Sequence, residues 1–134
     1  RVRQLYADKA EEYGVGWKGR VFDREKFETG DVTNKILTSC NAALYGILIS
    51  AVHSLGYSPH IGFIHSGSPL PFIYDLADLY KADLTIDLAF KLTLELGGKY
   101  DKDVVSNAFR ERLVEFDLLK KVPNDIKNVL RVGE

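Results

Sequence analysis

One apolar stripe of helical period constrains this chain's fold more than any other feature. Ile36, Leu37, Cys40, Leu44, Ile47, Leu48, Ala51 and Val52 recur at three- and four-residue spacing between Asp31, a good N-cap, and Gly56, a stop. The spacing predicts a long helix running to about Leu55, and a stripe that broad makes the helix central. The same period governs most of the remaining chain. Phe72, Ile73, Leu76, Leu79 and Tyr80 predict a second helix; Ile86, Leu88, Ala89, Leu92 and Leu94 predict a third, capped by Asp83 or Thr85 and closed at Gly97-Gly98. Asp101 starts another, in which Val104, Val105, Ala108, Phe109, Leu113, Phe116, Leu118 and Leu119 keep the period until Pro123-Asn124 breaks it. A last short helix follows through Ile126, Val129 and Leu130. Upstream, Val2, Leu5, Tyr6, Lys9 and Tyr13 read as a helix ending near Gly14. Only residues 60–64 read as extended, and the chain has no Asn-Gly or Asp-Gly hairpin signal, internal repeat or low-complexity segment. The fold class is all-α, with one domain over residues 1–134.

A chain of 134 residues with 46% hydrophobic composition is long enough to bury one core. A net charge of -1 excludes a uniformly basic wrapper of nucleic acid, so any DNA contact comes from local patches such as Lys18, Arg20, Arg24 and Lys26. Cys40 is the sole cysteine, cannot form an intrachain disulfide, and sits among apolar positions as a core residue rather than a nucleophile. No run of about eighteen uninterrupted apolar residues occurs, and Arg1-Val2-Arg3-Gln4 lacks the apolar centre of a secretory signal. The expectation is a soluble cytoplasmic protein without a membrane partner. The absence of methionine and a start inside an amphipathic helix read as a piece of something longer.

Chemistry concentrates in the stretch IHSGSPLPFIYDLAD, where His65, Asp75 and Asp78 are potential metal ligands. Gly67, Pro69 and Pro71 read as an ordered loop ahead of the helix that carries the two aspartates. Three residues apart, Asp75 and Asp78 lie roughly 60° from one another around the axis and share a face, with His65 above it. Two hard oxygen donors and an imidazole suit Mg²⁺ or Mn²⁺ better than zinc. The same residues equally fit a solvated helix face, with Asp75 favoured by the helix N-terminus and His65 a packed loop residue. In the loop Gly16-Trp17-Lys18-Gly19-Arg20, the cations could meet a phosphate, or Trp17 could plug the core with its cations merely solvated. His53 and His60 are read as packing residues.

The strings GVGWKGRVFD, FETGDVTNKILTSCNAALYG, LGYSPHIGFIHSGSPLPFIYDLADLYKAD and NVLRVGE resemble the helical C-terminal domain of the CRISPR spacer-acquisition integrase family, closest to its type I-E variants. The resemblance covers almost the whole chain in order. It implies a metal-dependent DNA endonuclease and integrase that joins 3′-hydroxyl ends of a short foreign DNA to the backbone of the CRISPR repeat. It further implies a small ferredoxin-like partner subunit, a homodimer of the full-length protein and a prokaryotic cytoplasm. The histidine of the family's metal site corresponds to His65 and the aspartate to Asp78, while Asp75 matches a further acidic residue there. Lys81 matches a lysine one turn beyond that faces DNA. Lys18 and Arg20 match the W-x-G-R region near DNA, Tyr45 and Tyr74 match tyrosines near the active centre, and Arg110 matches a basic residue. The family's glutamate ligand falls just upstream of Arg1, and its N-terminal β-rich domain has no counterpart, so the resemblance implies that the fragment alone is inactive. Ser68 stands where some relatives carry a lysine. The alternative is a helical DNA-binding or scaffolding module whose acidic cluster does no chemistry.

Overall fold

The structure is a computed structural model that describes residues 2–20, 31–54 and 70–132. Helix α1 (Val2–Tyr13) stops at Gly14, whose φ of 67° is a left-handed conformation that glycine adopts without steric cost. Helix α2 (Val32–Ser54) begins where the sequence places its cap. One oxygen of the Asp31 carboxylate accepts from the Asn34 backbone N–H at 2.8 Å, the other from the Asn34 side-chain amide at 2.9 Å. Ile36, Leu37, Cys40, Leu44, Leu48, Ala51 and Val52 of the stripe are buried, whereas the expected stop at Gly56 lies outside the described residues, as does the extended stretch 60–64.

Helix α3 (Leu70–Lys81) starts one residue before Pro71, so this proline falls in the first turn, where a missing N–H costs little, rather than in the loop. The chain then departs from expectation. Neither Asp83 nor Thr85 caps a new helix; α3 passes through a π-helical turn (Ala82–Ile86) directly into helix α4 (Asp87–Leu96). Leu84, Thr85 and Ile86 are all buried, and the Thr85 hydroxyl donates to the Lys81 carbonyl at 3.2 Å. A widened turn re-phases the helix so that both halves bury their apolar sides without a break in the helix. Gly97, at φ 60°, ends α4 as expected.

Asp101 caps helix α5 (Lys102–Phe116), accepting from the N–H groups of Asp103 and Val104. This helix ends earlier than the period suggests. Asp117 takes φ 58° and donates its N–H to the carbonyls of Leu113 and Val114, and helix α6 (Leu118–Val132) then carries Pro123 inside it. An interior proline costs about 3 kcal/mol. Leu118, Val122 and Ile126 lie on one face and are buried, and at roughly 1.5–3 kcal/mol each their burial outweighs that cost.

By length and composition α2 would be able to cross a membrane, with a mean hydropathy of 1.5 over eighteen residues. Its apolar side instead packs against α3, α4, α5 and α6 and forms the middle of the core. Trp17 plugs that core, its ring 5.2 Å from those of both Tyr6 and Phe90. Cys40 is buried as expected, and burial pushes its thiol pKa up to about 12, which makes it inert as a nucleophile.

Candidate metal and nucleic-acid site

The amphipathic period of α3 turns Phe72, Ile73, Leu76, Ala77 and Tyr80 inward, and by the same geometry Tyr74, Asp75, Asp78 and Leu79 outward. Tyr80 anchors the helix by donating to an Asp125 carboxylate oxygen on α6 at 2.6 Å. Both aspartates are exposed on one face, Asp78 with 57% of its side chain accessible.

Beside them Lys81 is held in place, with 19% of its side chain accessible. Its Nζ lies 3.4 Å from an Asp78 oxygen and 5.2 Å from the centroid of the Tyr45 ring, which reaches across from α2. Burial pulls the Lys81 pKa down, but the adjoining Tyr45 and Asp78 outweigh it and leave the ammonium more firmly protonated than an ordinary lysine. The Tyr45 and Tyr74 rings meet edge to face at 4.9 Å, and Tyr74 remains 43% exposed. The fold thus gathers Asp75, Asp78, Lys81, Tyr45 and Tyr74 from two helices. A cleft of about 940 Å³ opens next to them, lined by Gln4, Leu5 and Asp8 of α1 and by Asp78, Leu79 and Lys81 of α3.

The other predicted residues are dispersed. Arg20 is half-buried at the start of α2: its Nη1 donates to the Asn34 side-chain oxygen at 2.6 Å and its Nη2 to the Thr38 hydroxyl at 3.2 Å. Its guanidinium therefore braces the segment that precedes α2, and burial lowers its pKa. Lys18 is exposed in the stretch after α1, and Arg110 is exposed on α5. His65 lies outside the described residues, together with Gly67, Ser68, Arg24 and Lys26. Among the described residues no three His, Cys, Asp or Glu side chains converge as a metal cage. The donors that are described, two exposed carboxylates on neighbouring turns of one helix, have the hard oxygen chemistry that Mg²⁺ and Mn²⁺ take, with room left for water.

Sequence reasoning missed a second charged cluster. Asp87, at the start of α4, accepts on one oxygen from Lys9 Nζ and the Tyr13 hydroxyl, both at 2.9 Å, and on the other from Arg112 Nη1 at 2.6 Å. Arg112 Nη1 also donates to the Asp83 carbonyl at 3.0 Å. Burial raises the Asp87 pKa, but the three donors outweigh it and hold the carboxyl below its ordinary value. One signal was available, since Lys9 and Tyr13 stand on the apolar face of α1, where a cation requires a buried carboxylate partner.

No family model matches the chain. The fold is nevertheless found in known proteins: the crystal structure of a TtCas1–DNA complex superposes with a TM-score of 0.82 at 41% identity, over 98% of this chain and 49% of that one. A crystal structure of TtCas1 superposes with a TM-score of 0.77 at 39% identity, over 98% of this chain and 48% of that one. The class defined by fold and sequence is thus the CRISPR-associated endonucleases. "CRISPR-associated endonuclease Cas1 2" of Chlorobaculum tepidum is 63% identical over 130 residues, covering 97% of this chain and 44% of the relative. "CRISPR-associated endonuclease Cas1" of Escherichia coli K12 is 39% identical over 134 residues, covering 100% of this chain and 44% of the relative. The chain belongs to the Cas1 family, and it spans about half the length of the curated relatives it matches.

Proposed function

We propose that this chain is the catalytic half of a metal-dependent DNA endonuclease and integrase that inserts foreign DNA into a CRISPR array by transesterification. The observation that carries the reading is the α3 face, where Asp75 and Asp78 stand exposed beside an anchored cation and two tyrosines in edge-to-face contact. The relatives' names as endonucleases and the DNA in one matching structure support it.

Asp75, Asp78 and His65 would hold Mg²⁺ or Mn²⁺, and a cation there supplies Lewis-acid polarisation of the scissile phosphate. The chain's own residues do the rest. Lys81, kept protonated and held beside Asp78 and Tyr45, stabilises the negative charge of a phosphate close to the carboxylates. Tyr45 and Tyr74 offer aromatic faces on which a splayed base stacks, and Tyr74 is exposed enough to receive one. Lys18 and Arg110, both exposed, extend the contact with the DNA backbone, while Arg20 braces the segment before α2. The complete protein works as a homodimer with a small ferredoxin-like subunit in the prokaryotic cytoplasm, on protospacer and repeat DNA and without a membrane.

The test is Mn²⁺-dependent joining of a 3′-hydroxyl DNA duplex to a supercoiled plasmid bearing a CRISPR repeat, by the complete protein with its partner. Wild type should form joined product; Asp78→Ala and His65→Ala should lose at least about 100-fold in rate, roughly 3 kcal/mol of transition-state stabilisation. Asp78→Ala should keep its helical circular dichroism, since Asp78 is exposed. DNA binding without joining in wild type would instead establish a non-catalytic DNA-binding scaffold.

A further inference from the structure

The π turn between α3 and α4 decides where the acidic face points. On an uninterrupted α-helix, residue 86 would fall only about 20° from residue 75, eleven positions and three turns earlier. Yet Asp75 is exposed and Ile86 is buried. The widened turn rotates α4 relative to α3, so that α3 can turn its carboxylates outward while α4 buries Leu88, Ala89, Phe90 and Leu92.

The hydrogen bonds show what holds the turn. In an α-helix the Asp87 N–H would donate to the Asp83 carbonyl four residues back; here it donates to Ala82, five back. Arg112, reaching over from α5, donates to the Asp83 carbonyl so released and to the Asp87 carboxylate. Its side chain is only 19% accessible, as is that of Asp87. Lys9 and Tyr13 secure Asp87 from the α1 side, but neither makes the bond to the Asp83 carbonyl.

We propose that Arg112 is a positioning residue for the α3 site: by bridging the Asp83 carbonyl and the Asp87 carboxylate it keeps the π turn open and fixes the direction in which Asp75, Asp78 and Lys81 face. Arg112 does not line the cleft beside Asp78 and Lys81; it lines a separate one with Asp83 and Asp87. Its effect is transmitted through the helical phase, and it rests on the proposed function only in its activity readout.

The test compares Arg112→Leu, Arg112→Lys and Lys9→Met in the complete protein. Lys9→Met removes an ion pair from the same carboxylate and serves as the control for lost stability. Arg112→Leu should lower the strand-joining rate by about 10-fold or more, whereas Lys9→Met should leave the rate within about threefold at a similar loss of Tm. Both bonds come from the single Nη1, and Arg112→Lys keeps the charge and a nitrogen able to donate twice but on a side chain one bond shorter, so it should fall between them. Independently of activity, amide hydrogen exchange at residues 83–88 should quicken by about 10-fold in Arg112→Leu relative to residues 90–96, and by much less in Lys9→Met. Equal losses of activity in Arg112→Leu and Lys9→Met, or unchanged exchange at 83–88, would overturn the proposal. If wild type joins no DNA, the functional reading falls, and the exchange comparison alone decides the role of Arg112.

Discussion

At Asp87 three donors from two other helices converge on one carboxylate, and its charge is worth more to the fold than that of any exposed aspartate on α3. Asp87→Asn should cost roughly 2–4 kcal/mol in urea unfolding, because it removes the counter-charge of Arg112 and leaves Lys9 with only that of Glu12, 3.0 Å away. The pH dependence follows from the direction of the shift. The folded carboxyl titrates below its ordinary value of 3.8, so its stabilisation is complete above that value and is lost as pH falls from there through the folded pKa. Wild type should therefore lose more stability than Asp87→Asn on acidification below about pH 4. On the α3 face, Lys81→Ala should weaken DNA binding across sequences and reduce the slope of log affinity against log salt by about one. The paired aspartates of α3 were legible because three-residue spacing alone puts them on one face. The Asp87 cluster was not, since its partners lie 78, 74 and 25 residues away along the chain.

Among the elements, the caps were read correctly at Asp31 and Asp101, where the interaction is complete within three residues. The α5–α6 junction was misread because two local signals compete there and packing chooses between them. Pro123 is a strong helix breaker, but Leu118, Val122 and Ile126 share one buried stripe only if the helix continues through it. Asp117 supplies the break instead, in a left-handed conformation that a non-glycine residue adopts at a cost. Replacing it with glycine should therefore stabilise the protein by about 0.5–1 kcal/mol, visible as a rise in Tm. Pro123→Ala restores a backbone donor in α6 and should raise stability by about 1 kcal/mol or more; a drop in Tm would mean that the proline ring itself packs.

For the whole molecule, α2 is the common partner of the other core helices, so its loss should not be local. Leu44→Ala, at a fully buried position, should cost about 3–5 kcal/mol and lower one cooperative transition seen alike by circular dichroism and by Trp17 fluorescence. Separate transitions would show that α1 and its following segment unfold apart from the bundle. The amino-acid sequence by itself determined the helical class, the buried stripes, the principal caps, the carboxylate pair of α3 and the resemblance to the family to which the chain belongs. Those features depend on residues within a turn or two of one another, or on identities that survive without coordinates. Tertiary structure alone decided the phase of α4 relative to α3, the true end of α5, the meeting of Tyr45 with Lys81, and the use of Arg112 and Arg20 as internal braces. Each of these is a contest between a local preference and contacts from distant parts of the chain, and a contest of that kind is settled only when the distant partners are in place.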